Sequence, residues 1–340
     1  MSQKKNKKVL ITGAGGYIGS ITTYTFLKKG YEVVAVDNFS RGYREPVSFL
    51  QKKFGENKLR FYEADLNNNI DSVFEKEKDI SVVVHFAAFC LVNESMEDPF
   101  RYFNNNFFGS VRLLEAIQKN GVKNIVFSST CATYGNAEYL PINEKHPQNP
   151  SNPYGESKLL VEKAIKWLGK LQGLNYFIFR YFNVCGASDD GLIGDSKKPS
   201  ALLVQNAVKG ALNISEFSLT CPHVDTKDST PIRDYVNVVD LAEAHLLAVE
   251  YLLKNEGQEI VNLGTGKGNS VLEIIKKVEK VTGHKFDIKR SEARKGEDKE
   301  LVADIRKAKK ILNWKPKRTI EDSILSLVKW YKKHPNGWSK

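Results

Sequence analysis

The stretch Val9-Leu10-Ile11-Thr12-Gly13-Ala14-Gly15-Gly16-Tyr17-Ile18-Gly19 decides how this chain folds. An aliphatic run enters a glycine cluster, and a helical pattern follows. Gly13, Gly16 and Gly19 form a G-x-x-G-x-x-G spacing. One glycine permits a tight turn, one lets backbone N–H groups approach a pyrophosphate, and one lets the helix pack against the strand. Such a motif carries weight only between a strand and a helix, and that is its setting here. The second strand ends at Val36-Asp37-Asn38. Asp37 falls about 20 residues after the motif, where an acid holds the adenosine ribose hydroxyls. It would repel a 2′-phosphate, so NAD is expected rather than NADP. Asp65, in Tyr62-Glu63-Ala64-Asp65-Leu66, fits an adenine contact and equally a turn aspartate.

Outward from this loop, short buried strands rich in Val, Ile and Phe are predicted at Val9–Thr12, Glu32–Asp37, Arg60–Tyr62, Val82–Phe86, Ile125–Ser129 and Tyr176–Tyr181. Helical patterns such as Gly109–Asn120 and Tyr154–Leu171 lie between them. This alternation predicts the α/β class: a doubly wound parallel (Rossmann) sheet with right-handed crossovers. After Asn183 the character changes. Gly186–Ser200 reads as a loop, Ala201–Leu212 as a helix and Ile260–Leu263 as a strand. The turn Gly264-Thr265-Gly266 and an amphipathic helix over Asn269–Thr282 follow. A smaller mixed α/β C-terminal lobe is expected over the sheet's carboxyl edge, where ligands of such sheets bind. The expected boundaries are 1–185 for the dinucleotide-binding domain, with 234–265 returning to it, and 186–233 with 266–340 for the smaller lobe.

Composition narrows the function classes. The chain has 340 residues, 41% apolar and 11% aromatic, ample for a buried core. No run of about 18 apolar residues predicts a membrane span. Met1–Lys8 is polar and lysine-rich and lacks the apolar region of a secretory signal, so a cytoplasmic protein is expected. Cys90, Cys131, Cys185 and Cys221 stand in none of the paired zinc spacings, so no metal site is expected and free thiols are the default. The net charge is +11, but basic residues interleave with acidic ones, as in Glu75-Lys76-Glu77-Lys78. A solvated surface attracting an anionic diphosphate fits this better than a nucleic-acid partner.

A phenol and an ammonium four residues apart share one helical face. With 14 tyrosines, roughly two Tyr-x-x-x-Lys/Arg matches are expected by chance, and two with lysine occur, Tyr24/Lys28 and Tyr154/Lys158. Tyr24 and Lys28 fall toward the end of the helix behind the glycine loop, which predicts a structural role. Tyr154 opens a helix after Pro150-Ser151-Asn152-Pro153 and follows a strand ending in Ser128-Ser129-Thr130. A tyrosinate can take a carbinol proton if its pKa drops from about 10 toward about 7, with Lys158 and an oxidised nicotinamide supplying the positive charge. Thr130 would pass a proton or hold the sugar oxygen, or cap the turn.

These residues resemble a family. Gly13–Gly19, Asp37-Asn38, His85-Phe86-Ala87-Ala88, Ser128-Ser129-Thr130, Pro153-Tyr154-Gly155-Glu156-Ser157-Lys158 and Arg180-Tyr181-Phe182-Asn183 resemble the extended short-chain dehydrogenase/reductases. Asn104-Asn105-Asn106, Arg233-Asp234-Tyr235-Val236, the run from Asn262 to Val271 and Arg294-Lys295-Gly296-Glu297 narrow this to the UDP-glucose 4-epimerases. The resemblance implies Tyr154, Lys158 and Thr130 as the catalytic group. It implies that Gly13, Gly16, Tyr17, Ile18, Gly19, Asp37, Asn38, Asp65, Leu66, Phe86, Ala87, Ala88, Asn105, Ser128 and Phe182 line NAD. Asn183, Leu202, Arg233, Arg294 and Glu297 would hold a UDP-sugar. Guanidinium groups suit a diphosphate, though an ordinary ion pair is the alternative for both arginines.

The resemblance also implies the reaction. Sugar-nucleotide 4,6-dehydratases carry an Asp-Glu pair after the threonine, whereas Cys131-Ala132 stands here. Oxidation followed by reduction on the opposite face is therefore expected, interconverting UDP-glucose and UDP-galactose. The alternatives are UDP-N-acetylglucosamine, a UDP-pentose, or a non-catalytic nucleotide-binding protein. Several positions depart from the family pattern. Cys90 stands where a lysine near the cofactor is frequent, Ser200-Ala201 where an asparagine precedes Leu202, Thr220-Cys221 where a Phe-Gly pair lies near the uracil, and Asn237 where a histidine is frequent. Leu301 occupies a position whose size is associated with tolerance of N-acetylated sugars. The resemblance places Cys90, Cys131 and Cys185 beside site motifs, and small buried hydrophobes are the alternative. It also implies a homodimer paired through the helices near Gly109–Asn120 and Tyr154–Leu171.

Overall fold

The computed structural model describes residues 8–290 and 299–338. The first part alternates β1 (Lys8–Thr12), α1 (Tyr17–Lys28), β2 (Glu32–Asp37), α2 (Arg44–Phe54), β3 (Leu59–Glu63), α3 (Ile70–Lys76) and β4 (Val82–His85). Then come α4 (Val92–Glu97), α5 (Pro99–Tyr102), a π-helical turn (Phe103–Phe108), α6 (Gly109–Lys119), β5 (Asn124–Thr130), α7 (Pro153–Gln172) and β6 (Asn175–Tyr181). The predicted strands and helices of this half appear within a few residues of their expected bounds.

The remainder contains β7 (Asn183–Cys185), α8 (Leu203–Ala211), β8 (Phe217–Leu219), β9 (Ile232–Asn237), α9 (Val238–Leu252), β10 (Gln258–Leu263) and β11 (Gly268–Ser270). It ends with α10 (Val271–Thr282), β12 (Ile288–Arg290), β13 (Glu300–Leu301), α11 (Arg306–Leu312) and α12 (Ile320–Lys333). The sequence reading named neither α9 nor α12.

Seven parallel strands form the large sheet in the order β10-β6-β5-β4-β1-β2-β3. Alternate strand residues enter separate cores. Val9, Ile11, Val33, Ala35, Val82 and Val84 pack on one face with α1 and α9. Leu10, Val34, Val36, Val83, Ile125 and Phe127 pack on the other with residues of α3, α6 and α7. Burial on both faces is why these strands are nearly continuous apolar runs. Strand order reverses at β1, which pairs with β2 on one side and β4 on the other, so Thr12 has Val36 and His85 as partners. The crevice of a doubly wound sheet opens at such a point.

The smaller lobe has its own core around Val204, Val208, Ile274, Ile275, Ile324 and Trp330. A four-stranded sheet joins β7, β9, β11 and β13, and β8 pairs with β12. Within 234–265, α9 and β10 pack with the large sheet, whereas β9 pairs inside the smaller one. The predicted helix at Asn269–Thr282 begins at Val271, because Ser270 forms a capping box with Glu273.

Candidate active site

A cavity of about 400 Å³ runs along the carboxyl ends of β1, β2, β4, β5 and β6. Every residue named from the sequence for the dinucleotide lines it: Gly13, Gly16, Tyr17, Ile18, Gly19, Asp37, Asn38, Asp65, Leu66, Phe86, Ala87, Ala88, Asn105, Ser128 and Phe182. Thr130, Tyr154, Lys158, Asn183 and Leu202 line it too. Arg233 is not among the lining residues. It lies in β9, registered against Asn269 and Leu301. Arg294 and Glu297 lie outside the described residues.

At one end the chain turns at Gly13, whose φ is +70° and whose missing side chain matters twice. A side chain there would strain the backbone and put a Cβ 2.7 Å from the Ala87 nitrogen. Among the described residues no side chain caps the start of α1, and Gly16, Tyr17 and Ile18 line the cavity, so uncapped helix amides lie at its wall, where an anion is favoured. The Asp37 carboxylate accepts the N–H groups of Gly15 and Phe39, each at 2.8 Å. Burial nonetheless pushes its carboxyl above the ordinary value. Asn38 donates to Asp65 at 2.7 Å, fixing the second acid beside the first. These features fit a dinucleotide: glycines at the turn, an uncapped helix start, an acid at the end of β2 for ribose hydroxyls and a second acid beside it.

At the other end, α7 starts with Asn152 capping the Gly155 N–H at 2.9 Å and Pro153 in the first turn. Tyr154 and Lys158 then share a face. The Tyr154 phenol lies beside the Thr130 side chain at the end of β5, and both line the cavity. The Thr130 hydroxyl accepts the Ala132 N–H at 3.1 Å and so caps the turn beside the phenol. The Lys158 ammonium donates to the Ser128 carbonyl at 2.9 Å. Burial pushes Lys158 down to about 8. Burial also drives Tyr154 well above the ordinary phenol value, opposite to the shift expected from the sequence. The chain's own groups keep this tyrosine protonated.

A buried network fixes both ends. The Ser110 hydroxyl donates to the Asn106 carbonyl, which can only accept. Ser110 must then accept from His85 Nε2, 2.8 Å away, leaving Nδ1 to accept the Thr12 hydroxyl at 2.7 Å. Thr12 in turn accepts the Ala87 N–H. Burial, with Lys158 nearby, pushes His85 down to about 3, so it stays neutral. Asn106, in the π-helical turn, accepts the Phe89 N–H and donates to Ser157 on α7 at 3.1 Å. One chain of bonds thus links the glycine strand, the segment after β4 and the helix carrying Tyr154.

Some residues escaped the sequence reading. Glu162 lies four residues beyond Lys158 on the same face of α7 and forms a buried pair with Arg180 at 2.6 Å. The Tyr154-Lys158-Glu162 spacing was the available signal. Lys197 and Trp338 line the cavity from the smaller lobe and had no motif. Asp234, read as part of a family marker, has a structural task. It accepts N–H groups from Thr265, Gly266 and Ala303. Tyr24 bonds Asp190, and neither it nor Lys28 lines the cavity. Cys90 and Cys131 line the cavity, whereas Cys185 is buried away from it with its thiol pushed up to about 12.

The family model for GDP-mannose 4,6-dehydratase matches residues 10–326. The chain is 41% identical to the UDP-glucose 4-epimerase of Lactobacillus helveticus over 97% of this chain and 99% of that one. It is 41% identical to the UDP-glucose 4-epimerase of Lacticaseibacillus casei over 97% and 98%. Its structure matches that of the Bifidobacterium longum UDP-glucose 4-epimerase, solved in complex with NAD+ and UDP. The TM-score is 0.92 at 36% identity, covering 97% of this chain and 100% of the other.

Proposed function

Because the chain belongs to the UDP-glucose 4-epimerase family, we propose that it interconverts UDP-glucose and UDP-galactose with resident NAD. One observation carries this reading over the dehydration after which the matching family model is named. Among the described residues lining the cavity, the carboxylates are Asp37 and Asp65, both at the dinucleotide end. Cys131 and Ala132 line the stretch after Thr130, where elimination of water would need an acid and a base. A sugar oxidised there has reduction as its remaining course.

When bound, oxidised NAD supplies both the hydride acceptor and a positive charge beside the phenol. Tyr154 takes the proton of the sugar 4-hydroxyl as C4 is oxidised, and returns it as C4 is reduced. Thr130, beside the phenol, is placed to hydrogen-bond it and to orient it toward that hydroxyl. Lys158 holds the end of β5 through Ser128 and adds the chain's own positive charge. The 4-keto sugar turns about its diphosphate and presents its other face. Asn183 and Leu202, with Arg233, Arg294 and Glu297, are proposed to hold the UDP-sugar, and Asp37 the adenosine ribose.

Exposed apolar side chains support a homodimer. Phe100 and Met96 are 78% and 61% exposed, and Trp167 and Leu171 on α7 are 58% and 69% exposed. Trp167 and Leu171 stand one turn apart on α7, one of the helices through which the pairing is expected. A cytoplasmic role in galactose metabolism fits this reading, and no helix among the described residues is long and apolar enough to cross a membrane.

The decisive experiment gives the pure protein UDP-glucose or UDP-galactose without added NAD and reads the C4 epimer formed. Conversion of each into the other is expected. Steady release of NADH during turnover, or no epimer from either sugar, would count against the reading.

A further inference from the structure

Two side chains from different lobes meet inside the cavity. Cys90 lies in the segment after β4, and Lys197 in the loop between β7 and α8. The Lys197 ammonium is 3.4 Å from the Cys90 sulfur and 5.9 Å from the centroid of the Tyr17 ring. Tyr17 is the first residue of α1, whose start no side chain caps. Burial works against the charge, but Cys90 and Asp195 outweigh it and hold the Lys197 ammonium above its usual range.

Among the described residues, the other cations lining the cavity are engaged or elsewhere. Lys158 bonds the Ser128 carbonyl, and Arg41 pairs with Glu94. Lys198 borders Ser40, Arg41 and Tyr43, beyond the end of β2. A dinucleotide with its adenosine at Asp37 and its reactive ring at Tyr154 must pass its diphosphate over the start of α1. Lys197 stands at that crossing.

We propose that Lys197 is the cation that binds the dinucleotide diphosphate, reaching from the smaller lobe to the place where a lysine at position 90 would present its own. This rests on the proposed use of NAD. It also explains how a cysteine is accommodated at position 90: the tips of the two side chains converge, so either position can deliver the charge. A charge-assisted contact to phosphate is strong, and its loss should weaken binding roughly ten- to a hundredfold.

The test compares the parent, Lys197→Met, Lys197→Arg and the double variant Lys197→Met/Cys90→Lys. For each, the NAD retained after gel filtration is measured. Thermal shifts then give apparent affinities for NAD, ADP, adenosine and UDP. Lys197→Met should lose NAD and weaken NAD and ADP at least tenfold, with adenosine unchanged. Lys197→Arg and the double variant should hold NAD much as the parent does. The proposal is overturned if Lys197→Met retains NAD like the parent, if adenosine weakens equally, if UDP alone weakens, or if the double variant stays weak. A parent that binds no NAD at all would instead overturn the reading of the cofactor.

Discussion

A Cβ added at Gly155 would lie 2.5 Å from the Ala132 carbonyl oxygen. Only glycine lets the first turn of α7 rest against the turn that follows Thr130. That contact sets the distance between Tyr154, one residue before Gly155, and its threonine partner. Gly155→Ala should push helix and turn apart. A displacement near 1 Å costs about a hundredfold in rate. Epimerisation rate should fall by about that factor while circular dichroism still reports a folded chain. A rate within threefold of the parent would show that the contact does not set the geometry.

Tyr154→Phe removes the proton acceptor and little volume. General acid–base catalysis contributes roughly 10²–10⁴, so kcat should drop by that range. NAD content should be unchanged, because the dinucleotide end of the cavity is built from other elements. Near-full activity would exclude Tyr154 as the base.

Much of the site was legible because its signals are local. The glycine spacing, Asp37 at the strand end and the Tyr154/Lys158 pair each lie within one strand–turn–helix unit, where backbone geometry fixes what neighbours do. Lys197 was not legible, because its partner Cys90 is 107 residues away and the loop carrying it has no periodicity. Asp234 shows the converse. Its place in a recognisable marker suggested ligand binding nearby, yet its oxygens are occupied by backbone N–H groups of the smaller lobe. The sign of the Tyr154 shift was missed because burial is a tertiary property that outweighs a lysine one turn away.

Glu162 and Arg180 form a buried ion pair beneath the catalytic helix, each 1% exposed or less. Removing one partner strands the other charge in the core, at a cost of about 3–5 kcal/mol. Glu162→Gln should therefore lower the urea midpoint sharply. Replacing both residues by apolar ones of similar size should recover much of that loss. Equal destabilisation by the single and double variants would refute the pair as the cause.

His245 tests the acid limb of stability. Its Nδ1 bonds the Leu241 carbonyl, its ring packs on Phe86 and Phe179, and its Nε2 is buried with no hydrogen-bond partner among the described residues. Burial pushes it down to about 4. Between pH 6.5, the ordinary histidine value, and about 4, the unfolded chain takes a proton that the folded chain refuses. Stability must then fall as pH drops through that window. His245→Phe should flatten that fall and raise stability at pH 5 relative to the parent, read from urea unfolding at pH 5 and 7.5. An unchanged difference between the two pH values would sink the argument.

The cysteines separate by place. Cys90 is exposed and lines the cavity, Cys131 is half-buried and lines it as well, and Cys185 is buried with its thiol raised to about 12. The thiolate is the reactive form, so access and ionisation act in the same direction for Cys185 and protect it. A thiol-alkylating reagent should label Cys90 first and Cys185 last, as followed by peptide mass spectrometry. Because an adduct on Cys90 would project into the space between Tyr17 and Lys197, labelling should release NAD in step with modification. Saturating NAD should slow the labelling of Cys90 and leave that of Cys221, which does not line the cavity, untouched. Full labelling of Cys90 with NAD still bound would place the sulfur outside the path of the cofactor.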